Sequence, residues 1–502
     1  MKTATTRTSI ERRPSLGVLL CGWAVAATFG SIACADAIDE YVRATMAREK
    51  TPGLVLAIAT GAEGSAVAGG APPVRSYGAV RTYGMANLEH DVTVRPTTIF
   101  QSGSTGKQFT AAAVLLQVED GKLQLEDSIA KYFPSDRPTW RAITVRHLLT
   151  HTSGLPDYDE GGSEKFDFRR DYTEDELVQW AMRLQPQFVP GARWAYSNTG
   201  YVVLGALIRK LSGEFYGDVL RKRIFVPANM TGARVISEAD LVPHRAAGYE
   251  LVEGTVRNQS WVSPKMNTTA DGSLYLTARD FLAWDSALRE RKLLSSESFR
   301  LMWTPVRLND GQAYPYGFGW FIAEQRGSPN IEHAGSWQGF RAHIARYVER
   351  GLSLVVLCNL DKCDATSIAH DIAGLIDPSL RLPDPRRAAE EVDGQRTRNL
   401  RAALAAWVKG DSHPMMSPAL VARFDPGART AAMRKQVGEH LAKAIAFHYL
   451  GEDMVRPRGI SRGGAVVERI VYCGVMTPET AEGFRFYLDD RGMLLDLHVE
   501  GW

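Results

Sequence analysis

The stretch Phe100-Gln-Ser-Gly-Ser-Thr-Gly-Lys-Gln-Phe-Thr110 decides how this chain is read. Ser104 and Lys107 stand three residues apart in it, and Phe109, Ala112, Ala113 and Leu116 then recur at helical intervals up to Gly121. The spacing predicts an amphipathic helix with Ser104 at its N-terminus, where unpaired backbone N–H groups favour developing negative charge. A lysine one turn on can take the serine's proton, so the stretch reads as an S-x-x-K nucleophilic serine. Taken alone, Ser104 would serve equally as an ordinary helix cap. Ser128-Ile-Ala-Lys131 fits the same letters, but it follows Gly121 and reads as a surface turn with a solvated lysine.

Working outward, 502 residues exceed one typical domain and predict a large core with an accessory domain. Lys2, Arg7, Arg12 and Arg13 precede an apolar run from Leu16 to Ala33, and Ala33-Cys-Ala35 ends it with small residues. Residues 1–35 therefore read as a cleavable secretory signal, placing the mature protein in the periplasm or outside the cell. No stable membrane span is expected after its removal. Its loss takes away four positive charges and one negative, moving the formal charge from +2 to −1, which argues against nucleic acid as a partner. Cys358, Cys363 and Cys473 remain. An odd number is not a disulfide framework, although a Cys358–Cys363 bridge is compatible with an oxidising compartment.

Residues 37–49 carry a helical pattern, 54–59 a buried strand, 61–73 a long hairpin loop and 76–88 one or two further strands. Helices are predicted over 143–149, over 173–184 behind a Thr173/Glu176 capping box, over 201–211 and over 278–289. Strands are predicted at 317–322, 339–348 and 352–358, followed by a helix over 366–376. His147 and His151 are four apart, as two metal ligands on one helix face would be, but the H-E-x-x-H pattern is missing and no metal is expected. Residues 383–394, rich in Pro, Arg and acids, read as a linker between a domain spanning 36–382 and an accessory domain spanning 395–502. The latter carries helical patterns at 397–408 and 430–442, then strand patterns at 465–473, 484–488 and 494–499.

Three motifs occur in the order Ser104-x-x-Lys107, Tyr196-x-Asn198 and His333-x-Gly335. Their order and spacing resemble the serine β-lactamase and penicillin-binding-protein superfamily. The similarity is to its class C branch, with D-alanyl-D-alanine carboxypeptidases, D-aminopeptidases and related esterases. The phrases Phe109-Thr-Ala-Ala-Ala-Val, His147-Leu-Leu-Thr-His-Thr-Ser-Gly-Leu and Ser273-Leu-Tyr-Leu-Thr-Ala-Arg-Asp280 extend the resemblance from about Tyr41 to Ile376. It implies an α+β fold, an antiparallel sheet flanked by helices with an all-helical lobe, here followed by a small α+β C-terminal domain.

The resemblance further implies an acyl-enzyme on Ser104, formed from an amide or ester: a D-amino-acid peptide, an ester or a β-lactam. Lys107 and Tyr196 are both candidate bases for the serine. Tyr196 is the candidate for activating the deacylating water. Backbone N–H groups of Ser104 and Ser336 would hold the oxyanion. Asn198 would hold the substrate's amide and help position Lys107, and His333, in the substrate-binding motif with Gly335, can donate a hydrogen bond to a substrate carboxylate. No cofactor is implied, and the expected partner is a small-molecule or peptide substrate.

One departure narrows the choice. The class C third motif is Lys-Thr-Gly, and no K-x-G occurs in this chain. His333 in the lysine's place favours a peptidase or esterase over a dedicated antibiotic-resistance enzyme. Two other readings stand beside this one. The first is a slowly acylated binding or sensor module whose accessory domain carries the physiological role. The second is a lipase-type hydrolase built on Gly459-Ile-Ser-Arg-Gly463, whose context is wrong because a strand pattern follows where a helix is required.

Overall fold

The computed structural model describes residues 36–61, 79–158, 166–237, 239–272, 274–391, 394–422, 428–455, 461–462 and 465–499. The expected signal and most of the 61–73 loop lie outside the described residues, as do Ser273 and, in the lipase-like motif, Gly459, Ile460 and Gly463.

A seven-stranded antiparallel sheet forms the frame. Its order is Phe321–Gln325, Ser328–Trp337, Phe340–Tyr347, Leu352–Cys358, Gly53–Thr60, Ala79–Asn87 and Val92–Thr93. The chain thus closes on itself, with Leu54 opposite Cys358 and Thr60 opposite Leu352. The Gly53–Thr60 strand is a nearly unbroken apolar run because helices cover both its faces. Leu54, Leu56 and Ile58 meet the helices at 36–49 and 365–376, whereas Val55 and Ala57 face the larger core with the Lys107–Glu119 and Ala278–Arg289 helices. Period-two alternation divides the two cores.

Three expectations are corrected. The Lys107–Glu119 helix is not amphipathic: residues from Lys107 to Gln117 are buried all round. It runs through the middle of the molecule, and a central helix has no solvent face to keep polar. Gln108 is satisfied internally, its Nε2 donating to Thr105 O at 2.7 Å and its Oε1 accepting from Trp284 Nε1 at 2.5 Å, whereas Gln117 Oε1 is buried without a hydrogen-bond partner among the described residues. The strand predicted from Gly317 starts at Phe321, because Gly317 and Gly319 form a tight turn, with Gly319 at φ +75° against Lys107 and Gln108. The ten-residue Ser328–Trp337 strand, which carries the third motif, lies outside the strand ranges predicted at 317–322, 339–348 and 352–358.

The C-terminal region is a separate, smaller α+β unit. A four-stranded antiparallel sheet, ordered Ala446–Met454, Arg469–Met476, Ala481–Leu488 and Leu494–Val499, packs on the Gly394–Lys409 and Ala428–Ala442 helices. Its edge strand, Ala446–Met454, lies outside the predicted strands because Gly451 and the acids after it interrupt the β pattern; a register shift between Tyr449 and Gly451 leaves Leu450 as the extra residue. Ahead of this unit, residues 383–391 form neither helix nor strand, and Ala389 N donates to Tyr449 O at 2.8 Å on this edge. Cys358 and Cys363 are disulfide-bonded, and Cys473 is buried and free.

Candidate active site

Ser104 lies one turn earlier than expected, in a 3-10 turn over Gly103–Gly106 that runs directly into the Lys107–Glu119 helix. Lys107 N–H donates to Ser104 O, and in 3-10 geometry residues i and i+3 eclipse, so the lysine stands over the serine. Lys107 is fully buried, and its Nζ lies 3.1 Å from Ser104 Oγ and 2.6 Å from Asn198 Oδ1. Nζ also donates to the carbonyl oxygen of Asp271. Burial pushes the Lys107 pKa down to about 8, against the opposing pull of the Asp271 and Asp157 carboxylates.

Ser197 caps the Asn198–Ser212 helix by accepting from Gly200 N at 3.3 Å, which leaves Tyr196 and Asn198 on either side of the helix start. Asn198 is held from behind by Asp157, a residue the sequence reading did not single out. Asn198 N donates to Asp157 Oδ1 and Asn198 Nδ2 to Oδ2, both at 2.9 Å. This clamp fixes the amide so that Oδ1 faces Lys107. Only the Leu155-Pro-Asp157 turn beside the His151-Thr-Ser-Gly154 phrase hinted at it. Lys107 Nζ sits 4.8 Å from the centre of the Tyr196 ring, and the Tyr196 phenol faces Ser104. Burial holds Tyr196 well above the usual phenol range, with Asp157 adding to the effect and the Ser104 contact opposing it.

Behind Tyr196 runs a buried hydrogen-bonded chain. Ser197 N donates to His151 Nδ1 at 3.1 Å, so His151 carries its proton on Nε2 and donates to Tyr316 OH at 3.1 Å. Tyr316 then donates to His333 Nε2 at 3.1 Å, and His333 Nδ1–H donates to Ala334 O at 2.6 Å. Each link fixes the tautomer of the next. His151 lies ring against ring with Tyr196 at 4.3 Å. Burial and the nearby Lys107 charge keep both imidazoles neutral, and the His333 pKa is pushed down to about 3. Both ring nitrogens of His333 are therefore engaged within the protein, which leaves no N–H aimed at a substrate carboxylate.

The third motif is brought to the serine by backbone contact. A Cβ on Gly335 would stand 2.0 Å from Ser102 O, and one on Gly103, at φ +50°, 2.4 Å from Ser336 N. Only glycine permits this approach. Past Glu332, the Ser328–Trp337 strand has outrun its Phe321–Gln325 neighbour, so His333 to Trp337 present an open strand edge beside Ser104. All seven residues expected at the site thus gather around the Gly103–Gly106 turn.

The other candidates separate from it. Ser128 caps a short turn, accepting from Ala130 N at 3.2 Å, and Lys131 pairs with Asp127 at 3.0 Å on the surface. His147 closes a capping box with Thr144, accepting from Thr144 N at 3.1 Å, while His151 belongs to the chain above; the two do not share a site. Ser461–Arg462 is a two-residue strand paired with Ala465–Val466, as the lipase reading's wrong context implied.

The fold and this arrangement are those of a serine-hydrolase domain. The chain belongs to the Beta-lactamase family, whose model matches residues 38–376. It is similar to penicillin-binding protein 4* of Bacillus subtilis, 31% identical over 301 residues that make up 56% of this chain and 65% of that protein. The match therefore spans just under two thirds of that relative's length. Among solved structures, a D-amino acid amidase from Ochrobactrum anthropi SV3 is 26% identical with a TM-score of 0.57, covering 69% of this chain and 97% of its own. The octameric penicillin-binding protein homologue from Pyrococcus abyssi shares the fold over 91% of this chain and 96% of its own, at 23% identity and a TM-score of 0.59.

Proposed function

We propose that the protein is an exported serine hydrolase that forms an acyl-enzyme on Ser104 and acts on D-aminoacyl amides, peptides or esters in preference to β-lactams. The observation that carries this reading is the three-way grip on Lys107 Nζ by Ser104 Oγ, Asn198 Oδ1 and Asp271 O. Ser104 Oγ attacks the acyl carbon and its proton passes to Lys107 Nζ. The oxyanion is taken by the N–H groups of Ser104 and Ser336. Lys107 or the Tyr196 phenol returns a proton to the leaving group, and a water approaching past Tyr196 releases the acyl group. Lys107 is the acylation base, because burial stabilises its neutral amine and disfavours the Tyr196 phenolate.

Charge supports the substrate preference. The charged side chains knitted around Ser104 are Lys107, Asp157 and Asp271, while His151 and His333 are neutral. Two carboxylates against one ammonium suit a substrate with a free α-amine better than one with an obligatory carboxylate. The likeness to a D-amino acid amidase agrees with this. Export is supported by the Cys358–Cys363 disulfide as well as by the N-terminal sequence.

A panel of D- and L-aminoacyl amides, small esters and β-lactams tests the reading, with intact-protein mass recorded at each step. Turnover of D-aminoacyl donors, with a transient acyl adduct lost in S104A, is expected. An adduct that persists in S104A would overturn the mechanism. A β-lactam adduct that stays on Ser104 while no amide or ester turns over would replace the enzyme with the sensor reading.

A further inference from the structure

Strand alternation puts Glu332 on the opposite face of the sheet from His333, under the Ala365–Ile376 helix. Glu332 pairs across the ladder with Ala345, so His343, two residues away on that neighbouring strand, points to the same side. His370 descends from the helix to meet them. His370 Nε2 lies 2.7 Å and His343 Nε2 3.4 Å from the same oxygen, Glu332 Oε2, and one ligand atom from each of the three residues falls within 4.8 Å of the others. His343 and His370 are 1% and 4% exposed.

Two buried atoms beside this cluster have no hydrogen-bond partner: His343 Nε2 and Asn330 Oδ1. Asn330 shares the face of Glu332, and its Nδ2 donates to Glu332 Oε2 at 3.0 Å. An unpaired buried acceptor is costly unless something fills the position. Thr366 Oγ1 lies 3.0 Å from His343 Nδ1, so the ring can place its proton there and turn the Nε2 lone pair inward. Metal-bound imidazoles are held in this way, the other ring nitrogen donating to a fixed acceptor.

We propose that Glu332, His343 and His370 bind a divalent transition-metal ion of the zinc class, with Asn330 Oδ1 or water completing the shell. Two imidazoles and one carboxylate suit zinc, whose bonds of about 2.0–2.2 Å put neighbouring tetrahedral ligand atoms ~3.3 Å apart. The 3.4 Å separation already meets this, and the 2.7 Å contact opens by about 0.6 Å when a proton gives way to the ion. The ion ties the Ala365–Ile376 helix to the two strands that form the far wall of the Ser104 site. It stands behind the sheet, and it is a structural rather than a catalytic ion.

The test is metal loading of the full-length protein with Zn²⁺ or Co²⁺, followed by dialysis and elemental analysis. One equivalent is expected, with visible Co²⁺ ligand-field bands, an X-ray absorption signature of two imidazoles at about 2.0 Å and a rise of several degrees in Tm. The His343→Gln and His370→Gln variants are expected to lose the ion, with near-UV circular dichroism checking their fold. No retained metal in the wild-type protein would overturn the proposal. So would an equivalent that survives in the H343Q/H370Q double variant, or an absorption signature without imidazole. The spectroscopy on wild-type protein decides the matter even if a variant fails to fold.

Discussion

Lys107 Nζ and Asn198 Oδ1 lie 2.6 Å apart, and this contact fixes where the amine's lone pair points. A neutral lysine has two hydrogens and one lone pair. Asn198 Oδ1 and Asp271 O are acceptors and take the two hydrogens, so the lone pair is left for the Ser104 hydroxyl at 3.1 Å. The ammonium form instead donates to all three. Deprotonating Lys107 thus turns Ser104 from an acceptor into a donor about to be activated.

A pH profile follows from this. With the Lys107 pKa lowered from 10.5 to about 8 by burial, only a minority of the protein carries the neutral amine at pH 7. Single-turnover acylation by a D-aminoacyl ester should rise about tenfold per pH unit up to about pH 8 and then level off. K107R should be flat and slower by several orders of magnitude. The stability sign is the reverse of an ion-paired lysine. The unfolded chain binds more protons between about 8 and 10.5, so the penalty for burying Lys107 is full below that window and fades through it.

Asn198→Ala removes the acceptor that aims the lone pair and takes the Nδ2 donor from Asp157 Oδ2, while the backbone N–H stays on Oδ1. Acylation kcat/KM should fall by about 10²-fold, near 2.7 kcal/mol of transition-state stabilisation, with most of the loss in kcat. Steady-state kinetics on an ester and an amide would check this. Equal loss confined to KM would assign Asn198 to substrate grip alone.

Gly335→Ala tests the contact between the third motif and the serine's turn. Its Cβ would meet Ser102 O at 2.0 Å, so the strand carrying Ser336 must retreat. A shift approaching 1 Å at an oxyanion donor should cost about 10²-fold in rate, together with about 1–3 kcal/mol of stability from overpacking. Gly311→Ala is the control: φ is +83° there, but no neighbouring atom opposes a Cβ. It should lose about 1 kcal/mol from backbone strain and leave acylation unchanged.

Short motifs carried most of this site, because Ser104–Lys107 and Tyr196–Asn198 are local pairs at helix starts, where spacing and side-chain direction are coupled. Asp157 was not legible: its role comes from clamping Asn198 across 41 residues of chain, and a lone aspartate in a turn looks like any other. His333 was legible as a site residue, but its partners Tyr316 and His151 were not, and they make it a neutral member of a chain. The Glu332, His343 and His370 cluster escaped because its members sit on two strands and a helix, at separations no sequence period encodes. In the fold, the strand at 54–59 was legible from its apolar run, whereas the Ser328–Trp337 strand was hidden by its glycine, proline and polar residues, tolerated at the site for the sake of close approach.

Arg485 and Glu324 join the C-terminal sheet to the main one, and their burial makes the junction testable. Arg485 Nη1 donates to Glu324 O at 3.0 Å and lies 3.7 Å from Glu324 Oε1, while Tyr487 OH donates to Oε1 at 3.3 Å. Both charged side chains are nearly inaccessible to water. Truncating one partner leaves the other charge buried and uncompensated, so Arg485→Met should destabilise the protein by about 3–5 kcal/mol. Glu324→Gln with Arg485→Met should recover part of that loss, because the remaining amide carries no charge to strand. Glu324 lies on the strand next to the one that carries His333, so loosening this junction should also slow turnover of larger peptide substrates. Calorimetry should then split one unfolding transition into two, with the C-terminal unit melting first. A single unshifted transition in Arg485→Met would mean that the two regions are joined elsewhere, with the Arg326–Asp453 pair at 3.1 Å as the next contact to cut.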